Sequence, residues 1–305
     1  MKMEMRDIEY FAVVAGQGNV GRAAEQLGLS QPALSKSLRR LEAAVGAKLV
    51  KRTPKGVDLT AVGTALFARA RGLRLSLDDI EREAVELGQG RAGHLRIGAG
   101  SVLAFHLLPA ACGDLRKDAA NLSISLVTGE PNILNAGIRN GELDLVVTSI
   151  QESQHSGLIE EHLFDEEYVV YASVNHPLAK RRQLTLADLA HEQWVMAAAN
   201  SPSERRLSQV FAGAGLPPPK IAVDATDWPS RHQFVATSEL LGFGSRTMMR
   251  FAATRFRLTP LPVKDIAVKR RVGIVYRKNA YLPPAALRLI DILKITAKEI
   301  VREKR

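Results

Sequence analysis

Apolar side chains at Ile8, Phe11, Ala12 and Ala15 recur at helical spacing until Gly16-Gln17-Gly18 interrupts them, which predicts a short first helix. Asn19 suits the N-cap of a second helix over Val20 to Leu27, with Val20, Ala23, Ala24 and Leu27 as its apolar face. Gly28-Leu29-Ser30 then forms a tight connection, Gly28 taking the left-handed conformation at a helix end and Ser30 capping a third helix. Pro32 falls in the first turn of that helix, where a missing N–H is harmless. Two short helices joined by a glycine turn predict a helix-turn-helix. On the third helix Leu34, Leu38, Leu41 and Val45 form the buried stripe, leaving Pro32, Ser35, Lys36, Arg39 and Ala43 opposite and Gln31 and Arg40 on the flanks. Lys48 to Thr60 reads as two short β-prone pieces around Pro54-Lys55-Gly56, a hairpin wing with Arg52, Thr53 and Lys55 at its tip.

Beyond the wing, Leu59, Val62, Leu66, Ala70, Leu73, Leu77, Ile80, Ala84 and Leu87 follow one another at intervals of three and four residues. A near-heptad seam of this length, roughly 42 Å at 1.5 Å per residue, calls for a partner helix; packing within its own chain is the alternative, and a second copy of the chain is the favoured partner. From His94 the pattern alternates: strand Leu95–Ala99, helix Leu103–Leu115, strand Leu122–Thr128, helix Pro131–Asn140, strand Leu143–Thr148. This βαβαβ order implies a parallel sheet with helices on its faces. A similar unit follows through Tyr168–Ala172, Trp194–Ala198, a helix over Arg205–Ala214, Ile221–Ala225 and a helix from about Ser230; Val268–Tyr276 returns as a strand and Pro283–Arg302 closes as a helix. Two α/β lobes joined by crossing strands would leave a cleft at the carboxyl ends of the strands.

Charge refines this picture. The 305 residues carry 42 Lys+Arg and 32 Asp+Glu, a net +10, which points to a polyanion without locating it. Residues 1–93 hold 15 basic and 11 acidic side chains, residues 94–268 hold 16 and 18, and residues 269–305 hold 11 and 3. Ser30 to Thr60 concentrates Lys36, Arg39, Arg40, Lys48, Lys51, Arg52 and Lys55 against Glu42 and Asp58. Either a solvated helix face or a nucleic-acid contact explains such a run by itself; turn, spacing and charge together favour recognition, since Gln, Arg and Lys pair with base edges and Ser reaches phosphate or base. The terminal excess from Lys269 reads as a solvated basic helix and tail, with a second DNA or subunit contact as the alternative. The lone Cys112 excludes an internal disulfide and zinc cages that need two or four cysteines, and neither a signal peptide nor an apolar run of about 20 residues is evident. A soluble cytoplasmic protein is expected. Gly88-Gln-Gly90-Arg-Ala-Gly93 satisfies G-x-G-x-x-G but stands between a helix and a strand, the reverse of the dinucleotide fingerprint, and reads as a hinge. His191-Glu192-Gln-Trp-Val195 breaks the H-E-x-x-H pattern, and G-x-S-x-G and P-loop patterns are missing, so no catalytic residue, metal ligand or cofactor is assigned and no enzyme is expected.

Ala23-Ala24-Glu-Gln-Leu27, Leu29-Ser-Gln-Pro-Ala-Leu-Ser35, Leu41-Glu42, Val45-Gly46 and Leu59-Thr-Ala-Val-Gly63 resemble the N-terminal domain of LysR-type transcriptional regulators, with Gly21 and Val50 departing from the usual residues. The resemblance implies an α+β multidomain chain: a winged helix-turn-helix over residues 1–60, a linker and dimerisation helix over 61–90, and a two-lobed α/β effector domain over 91–305. That last domain is similar to type 2 periplasmic solute-binding proteins, lobe I comprising about 91–163 and 269–305 and lobe II about 164–268; its match rests on element order and on Gly141-Glu-Leu-Asp-Leu145. Expected DNA contacts are Ser30, Gln31, Pro32, Ala33, Ser35, Lys36, Arg39 and Arg40 on the recognition helix and Arg52, Thr53 and Lys55 on the wing. Carried over by position, the effector site comprises Gly100, Ser101, Val102, Thr128, Gly129, Asn200, Ser201, Ser203, Asp227 and Trp228, where hydroxyls, backbone N–H groups and helix ends suit a carboxylate. Plain capping is the alternative for Ser101 and Ser203, and core packing for Trp228. The expected partners are double-stranded DNA bearing an interrupted inverted repeat, a small organic acid and further copies of the chain as a dimer or tetramer; RNA polymerase is a further candidate. The rival readings are a ligand-binding or catalytic α/β protein with a vestigial DNA module, and a non-specific architectural DNA binder.

Overall fold

The computed structural model describes residues 3–54, 56–89, 93–150, 157–197, 201–264, 266 and 268–302. Lys55, Asn200 and residues 90–92 of the expected hinge lie outside the described residues. The chain divides into two compact units, Met1–Gly90 and Arg91–Arg305.

The first unit runs α1 (Met5–Gln17), α2 (Val20–Gln26), α3 (Gln31–Val45), β1 (Val50–Thr53), β2 (Gly56–Leu59) and α4 (Ala61–Gln89). Local chemistry sets these boundaries. Gly18 stops α1 in the left-handed region, the Asn19 side chain accepts from Arg22 N–H at 3.1 Å, and Ser30 Oγ accepts from Ala33 N–H at 3.4 Å. Leu34, Leu38 and Leu41 bury one side of α3 against Phe11, Val14, Ala23 and Ala24, and Leu49 from the entry to the wing closes the core. The wing pairs Thr53 with Gly56 and Val50 with Leu59, antiparallel. It is fastened to the end of α1 by Val57 N–H donating to Gly18 O at 2.8 Å.

The second unit follows as β3 (His94–Ala99), α5 (Ser101–His106), α6 (Leu108–Asp118), β4 (Ser123–Thr128), α7 (Pro131–Arg139), β5 (Leu145–Ile150), β6 (Leu158–Ser173), β7 (Gln193–Met196), α8 (Pro202–Gly213), β8 (Lys220–Asp224), α9 (Trp228–Ala236), β9 (Leu241–Ser245), α10 (Arg246–Phe256), β10 (Leu258–Pro260), β11 (Lys269–Arg277) and α11 (Pro284–Arg302). The helix expected over Leu103–Leu115 is two helices, because Pro109 has no N–H to continue the ladder. Missing from the sequence-based expectation are β9, α10 and β10, whose Gly242 and Gly244 obscure the strand pattern.

The strands order as β4-β3-β5-β11-β6-β9-β7-β8, with β10 on β6. The βαβαβ parts are parallel, β3 lying between β4 and β5 and β7 between β8 and β9. Two long antiparallel strands complete the sheet. β6 pairs with β11 up to Glu167 and with β9 from Tyr168 onward, so one continuous strand belongs to both lobes. Each lobe has its own core: Leu95, Ile97, Leu107, Leu115, Phe164, Ile274, Leu289 and Leu293 in the first, and Val170, Leu189, Trp194, Met196, Leu207 and Phe211 in the second. The C-terminal segment is therefore not simply a solvated basic tail: α11 buries Leu289, Ile290, Leu293 and Ala297 in the first lobe, and β11 is a central strand.

Candidate functional site

On α3, burial of the leucine stripe turns Gln31, Pro32, Ala33, Lys36, Arg39 and Ala43 outward into solvent, with Ser35 half-buried beside them and Ser30 exposed at the cap. Neither Lys36 nor Arg39 forms an ion pair among the described residues, so both the ammonium and the guanidinium donors are available to an anionic groove. Arg40 is placed differently. Its guanidinium makes a two-point contact with Asp7 on α1, Nε donating to Oδ2 at 2.6 Å and Nη2 to the other oxygen, while Ser37 Oγ donates to that same Asp7 oxygen at 2.5 Å. Asp7 is 1% exposed, and the Arg40 hydrogen bond holds its carboxyl below the usual range in spite of burial. This pair locks α1 across α3 and fixes the angle at which the exposed arc is presented. On the wing Arg52 is exposed and Thr53 half-buried.

In the second unit the strand ends converge on a cleft of about 120 Å³ between the lobes. From lobe I come Gly100, Ser101, Val102 and Gly129, with Thr148 and Ser149 at the end of β5; from lobe II come Ser201, Ser203, Arg206, Thr226 and Arg231; the crossing strands supply Tyr168 and Arg270 as its floor. Six of the ten expected effector residues thus line one space: Gly100, Ser101, Val102, Gly129, Ser201 and Ser203. Thr128 lies one residue short of it, exposed on the outermost strand, and Asp227 instead caps α9 by accepting Ser230 N–H at 2.8 Å. Trp228 packs its ring 4.7 Å from Phe105 of lobe I and 5.4 Å from His232, an aromatic bridge beside the cleft rather than a wall of it. Ser201 both caps α8, accepting from Glu204 N–H at 3.3 Å, and lies 3.2 Å from Ser203 Oγ. Gly100 and Gly129 donate their N–H groups to Val147 O and Ala99 O, so what they offer a ligand is close backbone approach rather than donation.

Sequence reasoning missed the three arginines of the cleft. Arg270 comes from β11, a strand whose charge belongs, in sequence, to the terminal excess, yet its side chain is 13% exposed. Its Nε donates to Glu166 at 2.7 Å, Nη2 donates to the same carboxylate oxygen, and Nη1 reaches Ser149 Oγ at 3.5 Å. Ser245 Oγ donates to the other Glu166 oxygen and caps α10 by accepting Met248 N–H at 3.1 Å. Burial works against the charge of Arg270, but Tyr168 and Glu166 beside it outweigh that effect and raise its pKa, so the guanidinium stays ionised. The guanidinium carbon lies 5.4 Å from the centre of the Tyr168 ring, which Arg206 approaches at 5.8 Å. Only the order of strands brings these residues together; no local spacing signals it.

Among the described residues no cluster of His, Cys, Asp and Glu could hold a metal ion, and no helix is long and apolar enough to cross a membrane. Cys112 is half-buried against the lobe I core, where burial pushes its thiol pKa up and leaves it protonated.

The family model described as the LysR substrate binding domain matches residues 88–298, and that of the bacterial regulatory helix-turn-helix protein, lysR family, matches residues 5–64. The chain belongs to the LysR family of transcriptional regulators. This LysR-type regulator is 30% identical over 296 residues to the HTH-type transcriptional regulator GalR of Pseudomonas putida, covering 95% of this chain and 73% of that protein. It is also similar in fold to a full-length point variant of OxyR from Pseudomonas aeruginosa, with a TM-score of 0.65, 22% identity and coverage of 97% and 96%. A crystal structure of full-length CbnR complexed with its target DNA superposes with a TM-score of 0.61 at 20% identity, covering 96% of this chain and 100% of that one. As a family member the regulator is a DNA-binding protein whose activity responds to a small molecule held by its C-terminal domain.

Proposed function

We propose that this LysR-type regulator is a cytoplasmic homo-oligomer that reads an interrupted inverted repeat through α3 and takes an organic anion in its interlobe cleft, without catalysing a reaction. The observation that carries the DNA half is the outward arc of α3: Gln31, Pro32, Ala33, Ser35, Lys36 and Arg39 are presented opposite a buried leucine stripe, the two cations without an ion-pair partner among the described residues. Gln31, Lys36 and Arg39 have the donors to pair with base edges, Pro32 and Ala33 let the helix approach closely, and Ser30 and Ser35 reach phosphate. Arg52, Thr53 and Lys55 anchor the wing to the backbone, while Arg40 acts through Asp7 to set the helix angle. The CbnR neighbour, crystallised on its target DNA, is a protein of this fold that binds DNA.

The ligand half is supported by Arg206, Arg231 and Arg270 lining the cleft against one lining carboxylate, Glu130. Self-association is supported by α4: Leu66 and Ala70 pack toward α1 and the wing, but Leu73, Leu77 and Ile80 on the same seam stand 39%, 37% and 59% exposed.

The test is a gel shift with DNA upstream of the protein's own gene. A specific complex is expected, weakened about tenfold or more by Arg39→Ala or Lys36→Ala, in line with the roughly 1–3 kcal/mol of a good base contact. A complex that ignores base sequence and responds only to salt would leave an architectural binder, and no complex at all would sink the proposal.

A further inference from the structure

The three guanidinium groups of the cleft differ in what already neutralises them. Arg270 is matched by Glu166, itself 1% exposed, through two donors on one carboxylate. Arg231 donates through Nη1 to the carbonyl oxygens of Ala225 and Thr226, each at 2.8 Å, neutral partners that occupy two of its hydrogen bonds without cancelling its charge. Arg206 makes only a 3.3 Å hydrogen bond to Pro202 O and the approach to Tyr168; among the described residues it meets no carboxylate. Arg206, Arg231 and Arg270 set against Glu166 and Glu130 leave the cleft a single net positive charge, which matches one negative charge, and a second anionic group would meet the Glu130 carboxylate of the lining.

We infer that the effector is an organic monoanion whose charged group is recognised by Arg206, and that Glu166 and Glu130 select against dianions. This rests on the reading of the cleft as an anion site. Val102, Leu103, Tyr168 and Phe243, the last two with ring centroids 5.1 Å apart, supply the apolar surface for the rest of such a molecule. Glu166 does not itself line the cleft; it acts by cancelling Arg270, so its role is positioning and charge balance.

Calorimetric titration of the full-length protein with two matched sets, benzoate, phthalate and benzamide, and hexanoate, adipate and hexanamide, tests the inference. At least one monocarboxylate is expected to bind about tenfold more tightly than both its dicarboxylate and its amide. Arg206→Gln is expected to erase the preference for acid over amide, and Glu130→Gln to shift the wild-type ranking toward the dicarboxylate. Glu166→Gln should do the same; because it is buried, its melting curve is read first, and the exposed Glu130 variant carries the conclusion if it unfolds. Dicarboxylates ranking first in the wild type, or an acid preference that survives Arg206→Gln, would overturn the monoanion while leaving the anion site standing. If no acid of the panel binds more tightly than its amide, the anion site itself falls and the monoanion with it.

Discussion

His232 on α9 is 4% exposed, its ring 5.1 Å from that of Tyr171 and 5.6 Å from that of Phe256. Its Nδ1 lies 2.7 Å from the carbonyl oxygen of Trp228, which can only accept, so the neutral ring carries its proton there. Burial lowers its pKa to about 4, the Trp228 hydrogen bond opposing and the Arg231 charge assisting. The unfolded chain therefore takes up a proton near pH 6.5 that the folded lobe refuses until about pH 4, and stability is complete above the first value and falls through the interval. A loss of about 2 kcal/mol between pH 7 and pH 5 is expected for the C-terminal unit. Urea unfolding followed by tryptophan fluorescence reads that unit alone, since Trp194 and Trp228 are the two tryptophans of the chain. The pH dependence should vanish in His232→Phe; a slope unchanged in that variant would assign it to other groups.

At the scale of elements, several joints are backbone against backbone and leave no room for a side chain. A Cβ on Gly63, in the first turn of α4, would lie 2.0 Å from the Leu49 carbonyl oxygen, and one on Gly56 would lie 2.2 Å from that of Gly18. Thr60 completes the first joint: its Oγ1 donates to Lys48 O at 2.7 Å and accepts Gly63 N–H at 3.0 Å. Gly63→Ala must push α4 away from the strand entry and is expected to destabilise the N-terminal unit by about 1–3 kcal/mol, the usual cost of overpacking. Circular dichroism melting of the full chain would show the early transition, and a melting profile equal to wild type would mean that α4 shifts freely. These same elements show what could be read without coordinates. Asn19, Ser30 and Pro32 announce helix starts because a cap is chemistry between residues three apart. The leucine stripe of α3 is equally local, which is why its outward arc was legible residue by residue. Arg206, Arg231 and Arg270 were not, since they stand on α8, α9 and β11 and meet only because β6 and β11 cross between lobes. Arg40 misled in the opposite sense: its place on the helix circle is polar, but its partner, Asp7, comes from a helix 33 residues earlier.

For the whole molecule, net charge is a weak guide and its placement a strong one. Part of the C-terminal excess is balanced inside the fold, where Arg270 meets Glu166 and Lys294 pairs with Glu161 at 2.6 Å. An apolar surface is left uncovered as well: the seam of α4 from Leu73 to Ile80 has neighbours on α1 only for part of its circumference, and Ile80 has the most exposed side chain along it. A long helix keeps such a stripe in water only at a cost of about 25 cal/mol for each Å² of apolar surface, which a second copy of α4 would remove from both chains. Linking two recognition helices also changes the binding law, because the second half-site is then engaged within one complex at a high effective concentration. Replacing Leu77 and Ile80 together by Glu is expected to give a monomer in sedimentation velocity, still folded by circular dichroism. Its affinity for a DNA carrying both half-sites should drop about a hundredfold toward that for one half-site, while calorimetric binding of small acids by the C-terminal unit stays as in wild type. A double variant that still sediments as the wild-type oligomer would remove α4 as the self-association surface.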